Sequence, residues 1–276
     1  MLAQSLATSF QDFDFSNPNL IDYIGSQLEE GVGKFSLQAL PSTAKITESR
    51  FSGISTNQLL YFRLINFGID FFFSAQAMSM SGIVRCAMFI SCWANFVSQG
   101  THLLLIYSHF RDYDFYYDSL VKAIFQIALP LNFLTFWGYW SFLYNRGWPL
   151  DMSDPYVKQM VYMHGPSFFA LTAEMFMNSM TFDIATSQWR MLWTTLSYMP
   201  ILIFCYDIAG AYQYGDLDFT TLEGWFNLIK VVPFGMFSYY VMAYLWNWIK
   251  GGVEAVPRLA DLTQIMETFT QIQGLV

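Results

Sequence analysis

Charge is scarce in this chain. Only 12% of its residues are Asp, Glu, Lys or Arg, about half the share of an ordinary soluble domain. Basic residues are especially few near the start: none precedes Lys34, whereas Asp12, Asp14, Asp22, Glu29 and Glu30 all do. A secretory signal needs a basic n-region and a mitochondrial presequence needs Arg with few acids. Neither pattern is present, so insertion into a membrane is expected to be directed by an internal apolar segment. Endomembrane and mitochondrial inner membrane both stay open. The net charge of -8 leaves no basic stripe to neutralise phosphates, which excludes nucleic acid as a partner. It also disfavours a polybasic lipid-headgroup site. The three cysteines, Cys86, Cys92 and Cys205, all lie in apolar stretches. They form neither a disulfide framework nor a zinc pattern and read as buried free thiols. No cofactor or metal is implied.

What the chain has instead is apolar and aromatic bulk. Hydrophobic residues make up 54% and aromatic residues 20%, with 28 Phe, 17 Tyr and 9 Trp. Such a composition suits helices whose outer faces meet lipid and whose ends sit in aromatic belts. The sequence therefore predicts an all-α fold, a polytopic membrane helix bundle with about five or six transmembrane helices. Residues 1–57 read as a polar, acidic extramembrane arm, 58–250 as the bundle and 251–276 as a polar tail.

A spanning helix needs about 20 mainly apolar residues. Six candidates meet that: Tyr61 to Met80, Ala87 to Tyr107, Leu120 to Leu143, Tyr156 to Met177, Leu192 to Ala211 and Trp225 to Ile249. The first contains Arg63 and Asp70, charges that are costly at bilayer depth unless paired or facing protein. It is the one segment that could lie along the interface instead. The third carries Pro130, tolerated where neighbours satisfy the freed carbonyl. The basic residues are spread too evenly over the loops to set an orientation.

Ionisable residues inside such spans are the first candidates for chemistry. His164 lies within the fourth candidate, and the bland alternative is a buried histidine bonded to a neighbouring helix. Glu174, about 15 Å further along the axis at 1.5 Å per residue, is out of its reach and reads as a carboxylate paired at the helix end. A nucleophile for His164 would come from another helix. Ser98 and Thr101 both lie in the second candidate, at about 16 and 21 Å from its start against about 12 Å for His164. Depth matching favours Ser98, and a hydroxyl beside a histidine base is the minimum for acyl transfer. Asn95, one turn from Ser98, is the candidate oxyanion donor. The bland alternative for Ser98 is helix packing by a small residue.

Several motifs occur together in order. Pro130 precedes the aromatic run Phe136-Trp137-Gly138-Tyr139-Trp140 and Tyr144-Asn145-Arg146. His164 and Glu174 follow, then Gly210-Ala211-Tyr212-Gln213-Tyr214. From about Trp93 to the end of the last candidate span, the chain resembles the androgen-induced gene 1-like family of multi-pass membrane proteins. That resemblance implies an intramembrane hydrolase of fatty acid esters of hydroxy fatty acids, with His164 on the family histidine and Ser98 near the nucleophilic threonine. Tyr212 stands where the family has Trp, and Gly215 where it has Pro.

Two functions follow from this. In one, Ser98 attacks a lipid ester and His164 carries the proton, with no cofactor. In the other, the bundle is a catalytically inactive accessory subunit of a large membrane complex, and the N-terminal arm and C-terminal tail grip protein partners. A channel or transporter using Asp70, Glu174 and Asp207 is a distant third, because those carboxylates sit on different helices without a pattern.

Overall fold

In a computed structural model, residues 45–82, 89–143, 150–209 and 221–251 are described. The chain divides into two compact units, one of Leu37–Trp246 and one of Met1–Ser36 with Asn247–Val276. Only Asn247–Gly251 of the second is described, and it is helical. Among the described residues the fold is all-helical, apart from a single antiparallel bridge between Ser49 and Asn178.

The helices are α1 (Thr56–Ser81), α2 (Ile90–Tyr107), α3 (Phe115–Gly138), α4 (Pro155–His164), α5 (Pro166–Met177), α6 (Ile184–Ala209) and α7 (Leu222–Gly251). A short 3-10 turn, Ser108–Phe110, follows α2, and a π-helical turn, Tyr139–Leu143, follows α3. The described part of each apolar segment read from the sequence is therefore largely helical. Among the described residues one helical stretch, Phe115–Ser141, is long and apolar enough to cross a membrane, at 27 residues and a mean hydropathy of 1.5.

Local chemistry sets the boundaries. Ser55 opens α1 with a reciprocal capping box: its hydroxyl accepts from the Gln58 N–H, and its own N–H donates to Gln58 Oε1. Gly82 closes α1 at φ +79°, where only glycine sits without strain. Asp114 caps α3 by accepting from the Tyr116 and Tyr117 N–H groups. Asp154 caps α4, with Pro155 in the first turn where a missing N–H costs nothing.

The fourth apolar segment, read as one helix, is two. The axis breaks between α4 and α5 at Gly165-Pro166, because Pro166 cannot donate to the Tyr162 carbonyl and its ring crowds that oxygen. Pro130 does not break α3, which runs through it.

Helix α1 packs against α2, α4 and α5, and α2 packs along α3. The main core gathers Phe125, Leu129, Leu171, Met191, Tyr239 and Trp246 from α3, α5, α6 and α7. Ile46, before α1, is buried in the same cluster. Its segment is tied to the end of α5, where Ser49 Oγ and the Arg50 N–H both donate to the Met177 carbonyl at 2.8 and 3.1 Å. Cys92 is a buried thiol outside any disulfide, as expected, and its Sγ lies 4.0 Å from Met163 Sδ. Cys86 and the Cys205 side chain lie outside the description, as do residues 1–44 of the N-terminal arm, 252–276 of the tail and the motif at 210–214.

Helices α6 and α7 approach so closely at Gly235 that a Cβ there would overlap Thr195. Gly235→Ala is therefore expected to destabilise the fold by about 1–3 kcal/mol. Thermal unfolding of the purified protein checks this, with Gly100→Ala as control, since a Cβ at Gly100 meets nothing within 4 Å.

Candidate functional site

Helix α1 is inverted relative to a helix of a water-soluble protein. Its buried residues are Leu59, Arg63, Asn66, Asp70, Ser74 and Ala77, a stripe at intervals of three and four. Arg63 and Asp70 are both 0% exposed, whereas Tyr61 and Ile65 are 65% and 64% exposed. The four polar residues of the stripe meet α5 in antiparallel order. Arg63 pairs with Glu174, Asn66 donates to the Ala170 carbonyl at 2.7 Å, and Asp70 and Ser74 both reach Ser167.

Arg63 is fully committed. Its Nε donates to both Glu174 oxygens at 3.1 and 3.2 Å, and Nη2 donates to Glu174 Oε1 at 2.7 Å and the Ile46 carbonyl at 2.8 Å. Nη1 donates to the Leu105 carbonyl at 3.2 Å and lies 2.8 Å from His109 Nε2. With all five guanidinium donors engaged, this residue joins the segment before α1, the end of α2, the 3-10 turn and α5. His109 must accept from the cation, so its imidazole is neutral. Burial and the adjacent Arg63 push its pKa down to about 4.

Seven residues along, Asp70 forms the second centre. Ser98 Oγ donates to Oδ2 at 2.8 Å, and Ser167 Oγ to Oδ1 at 2.5 Å. Ser74 Oγ lies 3.5 Å from Oδ1 and also accepts from Gln99 Nε2 at 3.3 Å. His102 Nε2 is 3.7 Å from Oδ2, inside ion-pair range but beyond hydrogen-bond reach, and the ring is 0% exposed. Neither nitrogen of His102 has a hydrogen-bond partner.

The expected pair of Ser98 and His164 is not joined by a hydrogen bond. Ser98 gives its proton to Asp70, while His164 Nδ1 lies 2.8 Å from the Met160 carbonyl and its ring stacks on Tyr139 at 4.3 Å. Thr101 Oγ1 donates to the Val97 carbonyl of its own helix at 2.6 Å. Asn95 Nδ2 donates to the Met163 carbonyl at 3.1 Å, an ordinary contact between helices. Glu174 is a paired carboxylate, and its partner is Arg63. The Asp207 side chain lies outside the description. The sequence reading passed over His102. The signal that could have found it is its own place in an apolar helix, one turn from Ser98.

An apolar groove of about 530 Å³ lies between α1, the end of α3 and the α4–α5 break. Phe73, Phe136, Val161, Gly165 and Phe169 help to line it, and Asn66 is a polar point in its wall. Neither Ser98 nor His164 lines it, although Val161 and Gly165 flank His164 in the chain. No known protein family matches the chain, and neither a curated protein nor a solved structure does.

Two expectations follow from the Arg63 centre. Glu174→Gln leaves a buried guanidinium unpaired and is expected to cost about 3–5 kcal/mol, much of which the double change Arg63→Met with Glu174→Met should recover. Unfolding of the single and double variants checks the coupling. His109 carries a pH dependence of its own. Its folded pKa of about 4 lies below the ordinary 6.5, so its unfolded form binds the proton first. Its contribution to stability is full above about pH 6.5 and is lost as the pH falls through about 4. His109→Gln, which keeps an acceptor for Arg63, should flatten the melting temperature over that window.

Proposed function

We propose that this chain is a polytopic integral membrane protein whose bundle serves as a non-hydrolytic accessory subunit of a larger membrane assembly. The inversion of α1 is the observation that carries the reading. A helix that turns Arg63, Asn66, Asp70 and Ser74 inward and Tyr61, Ile65, Ile69 and Phe72 outward is poorly suited to water. In lipid the outer row is solvated by acyl chains and the inner row finds protein partners. Helix α2 follows the same rule, with Asn95, Ser98 and His102 inside and Trp93, Phe96 and Leu103 outside. Phe234, Phe237 and Leu245 extend the apolar surface along α7.

The accessory role rests on what the interior groups do. Ser98, Asn95 and Glu174 each connect two helices. Ser98 is 0% exposed and its proton already has a carboxylate acceptor, so it stands ready to hold Asp70 rather than to meet a substrate carbonyl. The residues expected to grip protein partners belong to the N-terminal arm and the C-terminal tail.

A second reading, hydrolysis of fatty acid esters of hydroxy fatty acids, draws support from the groove beside His164. Its volume and apolar lining fit an acyl chain. In that reading Ser98 must leave Asp70 and reach His164.

The test uses the full chain in lipid nanodiscs with such an ester, comparing wild type, Ser98→Ala and His164→Ala. Membrane fractions are extracted with alkaline carbonate in parallel. The expected result is retention in the membrane pellet and no ester turnover above the blank. Turnover abolished by both substitutions would establish the hydrolase instead, and release by carbonate would sink the membrane reading.

A further inference from the structure

The Asp70 centre holds an unsolved electrostatic problem. Arg63 and Glu174 neutralise each other, but Asp70 is a fully buried carboxyl group whose one cationic candidate among the described residues is His102, at 3.7 Å. A bare carboxylate in such a place costs several kcal/mol. Hydroxyl donors from Ser98, Ser167 and Ser74 solvate it, yet they bring no charge. Opposite it, both nitrogens of a fully buried imidazole are without a hydrogen-bond partner. The side-chain carbonyl oxygens of Asn95 and Gln99 on the same helix are likewise unpartnered. Buried polar atoms without a protein partner call for a physical explanation.

We propose that Asp70 and His102 form an intramembrane proton-binding site that holds one exchangeable proton between them, keeping the pair net neutral. Whether the proton rests on the carboxyl or on the imidazole, it belongs to the pair. The ionisable groups that act on His102 are Asp70, Glu174 and Arg63, and the last two are already matched. A hydrogen-bonded chain leads outward from the pair: Asp70 meets Ser74, Ser74 meets Gln99, and Gln99 is partly exposed. The Ser74 hydroxyl donates to Asp70 and accepts from the Gln99 amide, so this chain ties the pair to a partly exposed side chain without itself releasing a proton. That the site is intramembrane rests on the membrane reading proposed above; its burial and geometry do not, and neither depends on whether Ser98 turns over esters.

The chain has three histidines, which makes the test tractable. Isotope-labelled histidine in the full-length protein, reconstituted in nanodiscs at neutral pH, reports the protonation of each ring by NMR. His109→Gln and His164→Gln assign the other two rings, so His102 is identified without touching the cluster. Infrared spectra of protein with isotope-labelled aspartate report a protonated carboxyl among the aspartates, and Asp70→Asn should remove that band. The expected result is one proton for the pair: an imidazolium at His102, or a protonated Asp70 facing a neutral ring. In the first case Asp70→Asn should turn the His102 signal neutral. A neutral His102 together with an ionised Asp70 in the wild-type protein would overturn the proposal. Sodium-dependent shifts in either signal would overturn it too, by placing a metal cation where the proton is proposed.

Discussion

The structure hangs on a buried guanidinium. Arg63 reaches four separate pieces of chain, and none of them is its sequence neighbour: Ile46, Leu105, His109 and Glu174. The planar fork makes this possible, since its five donors leave in fixed directions and each finds an acceptor. A lysine could supply the charge but not the geometry. What such a centre contributes is chiefly specificity, because desolvation offsets most of the Coulombic gain of a buried pair. Its effect is to fix one arrangement of the helices, and any slip of α1 would strand a cation inside the bundle.

That requirement extends along α1. The contacts of Arg63, Asn66 and Asp70 with Glu174, Ala170 and Ser167 run in opposite sequence directions on the two helices. This is an antiparallel ladder with a different pairing at each rung. A displacement by one turn would place Arg63 beside a backbone carbonyl and Asp70 away from its hydroxyls. In a lipid environment apolar side chains give no preference for one register over another, since every outward face is equally well solvated. Polar pairs then become the means by which a helix knows where to stop. The inward ladder positions α1 against its neighbours, and in the membrane reading proposed above its outward Phe and Ile residues would meet acyl chains.

Much of this architecture was legible in the sequence, because helix existence depends on local periodicity and composition. Tyr61 to Met80 lies within α1, and Trp225 to Ile249 within α7. The charges that made the first segment look doubtful turned out to face inward and find partners. Two things were out of reach. The Gly165-Pro166 break interrupts a stretch that is apolar on both sides, so composition gave no warning, although the dipeptide itself is a known punctuation. The pairing of Ser98 with His164 was inferred from depth along two helices, and depth says nothing about azimuth. Ser98 shares its face of α2 with His102 and turns to α1, whereas His164 ends α4 at the break and lies against Tyr139. Arg63 and Glu174, one Arg and one Glu in separate apolar segments, could have been matched by charge alone. Their distance in sequence hid the pair.

The remaining question about Ser98 is what its hydroxyl is for. A serine becomes a nucleophile when its proton has an acceptor and its oxygen has a carbonyl within reach. Asp70 satisfies the first condition, and better than His164 does. The second fails in this arrangement, because Ser98 is sealed from both solvent and groove. Ser167 and Ser74 make the same kind of contact with the same carboxyl group from two other helices. Three hydroxyls converging on one carboxyl group resemble a solvation shell more than a catalytic pair, since a nucleophile needs one acceptor to itself. The role that fits Ser98 is therefore to replace water around Asp70, and its position follows from the need to keep an acidic group inside a bundle.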